Sequence, residues 1–87
     1  MEKMIFVGVE KKTSKVGNKY YMLHFGKPID EKYGCGCTSI TSKIDEDEFK
    51  DFTDNCDIGT EFNASYEVVQ NASGGYQFIL KKYDFNV

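Results

Sequence analysis

The strongest constraint on the fold of this chain is a strict alternation of apolar and polar side chains after Gly59. The apolar positions of this segment are Phe62, Ala64, Tyr66 and Val68. A period of two residues is typical of an antiparallel strand with one buried face. The polar residues 70–75 include two glycines, so a turn is expected there, followed by another strand over 76–85.

The first half of the chain predicts three more strands. Residues 4–9 are apolar on both faces, and Gly8 would allow a bend where a sheet curls over itself. Residues 20–25 alternate, and the intervening Val16-Gly17-Asn18 favours a hairpin turn. A third strand is predicted over Tyr33 to Thr41, with Gly34 and Gly36 on one face.

A short helix is predicted after the third strand. Asp45 is a candidate N-cap, and Glu48, three residues later, completes a capping box. Phe49 and Phe52 form an apolar stripe, and acidic residues crowd the first turn, where the helix dipole favours them. The helix should end by about Asn55.

The order of three strands, a helix and two strands predicts a mainly β fold. We expect residues 1–87 to form a single OB-like domain, a five-stranded antiparallel barrel with one short helix between strands 3 and 4. A split α+β sheet or a small SH3-like barrel also fits this order.

Charge is segregated along the chain, although the formal net charge is only −3. Residues 45–61 contain eight acidic residues and one lysine, a charge of −7, and the remainder carries +4 from six acids and ten lysines. All 11 positive charges are lysines. The net charge therefore understates the cationic surface.

The composition also suggests where the protein works. The first ten residues do not resemble a signal peptide, and no apolar stretch approaches the length of a membrane span, which predicts a cytoplasmic protein without a membrane partner. In that compartment the three cysteines should be reduced thiols, and small buried thiols are the favoured interpretation.

Candidate nucleic-acid-binding residues lie beside the turns. The lysines are Lys11, Lys12, Lys15 and Lys19, and the rings are Tyr20, Tyr33 and Tyr76. Lysines pair with phosphates, and bases stack on aromatic rings. The alternatives are that the lysines form a solvated turn that blocks edge pairing, and that each ring serves core or dimer packing.

Metal chemistry and catalysis have little support in the sequence. Cys35, Cys37, Cys56 and His24 make a zinc set, but a C-x-C pair within a strand is not the usual spacing. The acidic run lacks the central glycine of a calcium loop. His24 is the only histidine and belongs to no catalytic motif, so neither a cofactor nor an enzyme activity is predicted.

Two segments, TSKVGNKYYMLHFGKP and GTEFNASYEVVQNASGGYQFILKK, resemble hairpins of a known family. The chain resembles the small single-stranded DNA-binding proteins of bacteriophages and conjugative elements, typified by the filamentous phage helix-destabilising protein. This resemblance implies a dimeric OB-type β-barrel that coats single strands during DNA replication without strong sequence preference. Basic residues and aromatic rings on its hairpins would make the contacts.

The leading prediction is thus a sequence-independent single-stranded DNA-binding protein, with RNA as a further candidate ligand and a homodimer as a candidate assembly. The alternative is a protein-interaction or inhibitor module of a mobile element, whose acidic helix faces a basic protein partner.

Overall fold

The computed structural model describes residues 1–86 and contains five strands and one helix. Their bounds in chain order are β1 Glu2–Thr13, β2 Lys19–Gly26, β3 Ile40–Ile44, α1 Glu46–Asn55, β4 Glu61–Gln70 and β5 Tyr76–Asp84. The strands form one sheet in the order β1-β2-β3-β5-β4, and β1 also pairs with β4, so the sheet closes into a ring. The mainly β prediction with a helix between strands 3 and 4 is confirmed at this level.

One pairing in the ring differs from the antiparallel prediction. β3 and β5 run parallel, with Ser42 opposite Phe78, whereas the other pairings are antiparallel. The Ser42 hydroxyl accepts a hydrogen bond from the backbone N–H of Leu80 at 3.0 Å. The buried Ser42 side chain thus joins the two strands where their ladder is short.

The helix matches the prediction. The side chain of Asp45 accepts a hydrogen bond from the Glu48 N–H at 2.8 Å, and the Glu48 side chain accepts one from the Asp45 N–H at 3.0 Å. This reciprocal pair is the predicted capping box, and the helix ends at Asn55. Ten residues long and strongly polar, the helix found within residues 1–86 cannot cross a membrane.

Aromatic side chains fill the space between the helix and the ring. Phe52 is fully buried, with its ring centroid 5.1 Å from that of Phe62 and 4.8 Å from that of Tyr83. The ring centroid of Phe25 lies 6.0 Å from that of Phe62. The helix therefore docks through Phe52 onto a core to which all five strands contribute.

The third strand begins later than predicted. β3 starts at Ile40, and the preceding residues from Tyr33 form a loop that makes only an isolated bridge between Pro28 and Cys37. The Asp30 carbonyl accepts hydrogen bonds from the N–H groups of Tyr33 and Gly34, which closes a turn. These donors are therefore unavailable to a strand ladder.

Val7 and Val68, two residues predicted to lie on buried strand faces, are exposed. Val7 is 43% exposed because the β1 register shifts between Phe6 and Gly8, so β1 is not buried on both faces. Val68 is 50% exposed, because the pairing of β4 with β1 extends only to Ala64 and the β4–β5 hairpin continues beyond it. The inward positions Phe62 and Ala64 are fully buried, as predicted.

Candidate nucleic-acid interface

An open groove of about 470 Å³ lies across β2, β3 and β5. Its lining residues are Tyr20, Met22, Ser39, Ile40, Thr41, Lys43, Tyr76, Gln77 and Phe78. Two of the three tyrosines predicted to stack on bases, Tyr20 and Tyr76, therefore lie in one groove.

The β2 and β3 part of the groove follows from strand alternation. Leu23 and Phe25 are fully buried, so Met22 and Tyr20, at the alternate positions of β2, face outward. Met22 lies opposite Lys43 in the ladder. The ammonium group of Lys43 stands 5.0 Å from the centroid of the Tyr20 ring, within cation–π range.

The β5 part of the groove starts at a rigid turn. The Asn71 side-chain oxygen accepts hydrogen bonds from the N–H groups of Ser73 and Gly75 at 3.1 and 2.9 Å. Gly74 has a φ of +87°, a conformation that favours glycine. Tyr76 follows directly and is 72% exposed, so its ring is available to a ligand.

Tyr20 and Tyr76 lie at opposite ends of the groove. Tyr21 pairs with Ile44, which places Tyr20 level with Asp45, whereas the Ser42 to Phe78 pairing places Tyr76 level with Ile40. Five residues at about 3.3 Å each give a separation of about 16 Å along the strands. Each ring can therefore stack on its own base, but the two rings cannot sandwich a single base.

The structure does not gather the four predicted lysines into one cluster. Lys12 lies opposite Tyr20, and its ammonium group is 3.5 Å from Glu10 Oε1. Lys11 lies at the next position of β1, on the other face, with its ammonium group 5.9 Å from the Tyr21 ring centroid. Lys15 and Lys19 are exposed, and no carboxylate of residues 1–86 approaches either within 4.0 Å.

Tyr33 lies apart from the groove. It is 82% exposed in the loop between β2 and β3 and is not among the lining residues. Lys43, Met22 and Gln77 do line the groove but were missed from the sequence. The alternation of Thr41 and Lys43 with buried neighbours could have marked the two as outward-facing.

A carboxylate and an imidazole lie next to the groove. Glu10 pairs with Met22 in the β1–β2 ladder, and Glu10 Oε1 is 2.6 Å from His24 Nε2. The hydrogen bond from His24, and then the positive charge of Lys12, hold the pKa of Glu10 below its ordinary value. This carboxylate is therefore ionised at neutral pH.

The three cysteines, considered above as zinc ligands, differ in burial. Cys56 is buried, as predicted, and burial raises the pKa of its thiol. Cys35 is exposed and Cys37 is half-buried, so the expectation of buried thiols was wrong for these two, because their segment is a loop. Within residues 1–86, no three His, Cys, Asp or Glu side chains are grouped to hold a metal ion.

A second cavity, of about 420 Å³, lies at the start of β1. It is lined by Met1, Glu2, Ser65 and Tyr66 and contains no predicted site residue. Comparisons with protein-family models, with curated proteins and with solved structures found no match to this chain.

Proposed function

We propose that this protein binds single-stranded nucleic acid without sequence specificity, through the groove on β2, β3 and β5. The observation that carries the proposal is that an exposed ring, a half-buried ring and a lysine ammonium group line one groove. Tyr20 and Tyr76 stand at the two ends of the groove, and Lys43 lies beside the Tyr20 ring without a carboxylate within 4.0 Å in the described residues.

The strand order supports an OB-type barrel as the fold behind this function. A ring in the order β1-β2-β3-β5-β4, with a helix between β3 and β4, matches the layout of a five-stranded Greek-key barrel. OB-fold domains bind oligonucleotides on the face of strands 2 and 3, between the β1–β2 and β4–β5 loops. The proposal is supported by the groove described above, which includes β2 and β3 residues, with Tyr20 after the β1–β2 turn and Tyr76 after the β4–β5 turn.

The roles of the groove residues follow from their chemistry. Tyr20 and Tyr76 each stack on one base, an interaction that contributes about 1–3 kcal/mol per base. Lys43, Lys15 and Lys19 contact phosphates, since no carboxylate of residues 1–86 lies within 4.0 Å of their ammonium groups. On binding, the Lys43 ammonium leaves the Tyr20 ring, which frees a ring face for the base.

A single strand suits this groove better than a duplex. Stacking on a protein ring requires the face of a base, and in a duplex those faces are covered by neighbouring base pairs. The groove contributes few cations, so phosphate attraction alone would be weak. Base stacking is then the main source of affinity, and DNA and RNA are both candidate ligands.

The biological role follows the same proposal. A homodimer that coats single strands during DNA replication of a phage or mobile element would use this groove on each subunit. Sedimentation at several protein concentrations, with and without oligonucleotide, tests the dimer separately from binding.

The first test is a titration with labelled oligo-dT and with duplex DNA at low and moderate salt. Binding is followed by anisotropy and by tyrosine fluorescence, which is unobscured because the chain contains no Trp. We expect quenching by the single strand that weakens as salt rises. Silence of both signals with both polymers would contradict the proposal and direct attention to a basic protein partner of the acidic helix.

A lysine series sharpens this test. Replacing Lys11, Lys12, Lys15 and Lys19 together by Ala should flatten the slope of log K against log[salt] by about 1.4. Lys15 and Lys19 lie at the β1–β2 turn and contribute about 0.7 each on single strands, whereas Lys12 is held by Glu10 and Lys11 lies further from the turn, with its ammonium group 5.9 Å from the Tyr21 ring centroid.

The control for the lysine series changes the same charge elsewhere. It replaces four lysines that pair with carboxylates, namely Lys3, Lys27, Lys50 and Lys81. The control should keep the slope of the unmodified protein. Equal slopes for the two variants would remove the β1–β2 turn from the binding surface.

A further inference from the structure

One carboxylate lies among the outward-facing residues of β1 and β2. Glu10 Oε1 lies 2.6 Å from His24 Nε2 and 3.5 Å from the ammonium group of Lys12. Both of these partners face the same way as the groove residues, because Lys12 pairs with Tyr20 and His24 pairs with Thr41 in the ladders.

We propose that Glu10 is a positioning residue that restrains Lys12 and makes nucleic-acid binding depend on the charge of His24. This inference rests on the proposed function, because it concerns the affinity of the same groove. The geometry carries it, since a single carboxylate oxygen contacts both the imidazole and the ammonium group.

The two charge states of His24 give different surfaces. While the imidazole is neutral, Glu10 repels phosphate and holds Lys12 away from it. Protonation of His24 neutralises Glu10 within the pair, so that Lys12 is released to contact a phosphate. The hydrogen bond from His24 holds the pKa of Glu10 below its ordinary value, so the carboxylate is ionised at neutral pH. Binding should therefore strengthen as pH falls.

The charged and titratable groups around His24 are few. From β1 it faces Glu10 and Lys12, and from β3 it faces Thr41 with Lys43 two residues further along. No second carboxylate of residues 1–86 lies within 4.0 Å of the imidazole. His24 is also the only histidine in the chain, so His24→Gln removes the only imidazole.

A second carboxyl group with a shifted pKa is that of Glu48, where the shift is upward. Burial raises the pKa of Glu48, but this side chain caps the helix and does not line the groove. Its protonation would affect the stability of the fold. Thermal unfolding at each pH separates that effect from a change in affinity.

The experiment measures the affinity for rhodamine-labelled oligo-dT at pH 5.5 and 7.0 and constant ionic strength. The unmodified protein should bind more tightly at pH 5.5 by a factor on the order of five, the effect of one unit charge about 4 Å from a phosphate in water. His24→Gln should bind equally at both pH values. Glu10→Gln should bind more tightly at pH 7.0, with a salt slope steeper by about 0.7.

Two further variants test the route through Lys12. Lys12→Gln should change the slope little in the unmodified protein at pH 7.0, but in the Glu10→Gln background it should remove the added 0.7. Glu61→Gln is the matched control, since Glu61 also pairs with one lysine, at 3.3 Å from Lys3, but on the β1–β4 side of the ring. It should leave the affinity and the slope unchanged.

The outcomes separate this inference from the proposed function. Binding that is independent of pH, or equal effects of Glu10→Gln and Glu61→Gln, would overturn the role of Glu10 while leaving the groove intact. Absence of binding to oligo-dT at both pH values would overturn the proposed function and this inference with it.

Discussion

The acidic segment 45–61 and the lysines of the chain use their charges differently. Most of the acidic side chains have partners within the chain. Asp45 and Glu48 form the capping box, Asp51 accepts a hydrogen bond from the Tyr83 hydroxyl at 2.6 Å, Glu46 lies 4.0 Å from Lys50, and Glu61 lies 3.3 Å from Lys3. These carboxylates contribute to the fold.

The lysines show the opposite distribution. Six of them have no carboxylate within 4.0 Å among residues 1–86, namely Lys11, Lys15, Lys19, Lys32, Lys43 and Lys82. The net charge of −3 therefore combines acids that mostly hold the structure together with lysines that are free to meet an anion. The net charge does not distinguish paired from unpaired side chains, whereas the contacts of each side chain do.

The largest predicted effect is on the stability of the fold and concerns the packing of α1 on the sheet. Phe52 is fully buried and its ring contacts those of Phe6, Phe62, Tyr83 and Phe85. Phe52→Ala should lower the free energy of unfolding by about 3–5 kcal/mol, because a large cavity is left in a small core. Urea unfolding followed by circular dichroism measures this. A loss below about 1 kcal/mol would contradict the assignment of α1 as the cover of the core.

The next largest predicted effect is a loss of affinity for oligo-dT. Tyr20→Ala and Tyr76→Ala should each weaken oligo-dT binding by about 1–3 kcal/mol, the contribution of one stacked base. The melting temperature should change little for Tyr76, which is 72% exposed. Tyr33→Ala is the control, since Tyr33 is 82% exposed but lies outside the groove. Equal losses at Tyr33 and Tyr76 would show that the groove is not the site of stacking.

Local signals explain why much of the fold was predictable. The capping box at Asp45 and Glu48 lies within four residues, and the alternation in β4 depends on neighbours in sequence. β3 was misplaced because Tyr33 to Thr38 has strand-like residues, while hydrogen bonds to Asp30 close a turn there. Such competition between local turn and ladder depends on geometry that composition does not record.

The candidate site was predictable only in part. Tyr20 and Tyr76 were selected because they lie beside turns, and they do line one groove. Lys43 was missed because its place beside Tyr20 depends on the register of β2 against β3. The parallel contact between β3 and β5, which brings Tyr76 to the same groove, joins residues far apart in sequence.

A smaller effect on stability is predicted for removal of the helix N-cap in the acidic segment. Asp45→Ala removes the N-cap of α1 and should lower the free energy of unfolding by about 0.5–2 kcal/mol. Affinity for oligo-dT should stay unchanged, because Asp45 holds the helix and not the ligand. Asp47→Ala is the control, since Asp47 carries the same charge in the first turn without taking part in the capping box. Equal destabilisation by both variants would mean that the helix dipole, not the cap, accounts for the effect.

The smallest effect compares two single lysines directly. Lys43→Gln should flatten the slope of log K against log[salt] by about 0.7, the value for one phosphate contact on a single strand. Lys50→Gln removes the same charge from the helix, where Lys50 lies 4.0 Å from Glu46, and should leave the slope unchanged. It should alter stability by no more than about 0.5 kcal/mol, because exposed pairs of this spacing contribute little. If both lysines change the slope equally, the ligand responds to the overall charge of the protein. A change confined to Lys43 means that the phosphate path crosses the groove.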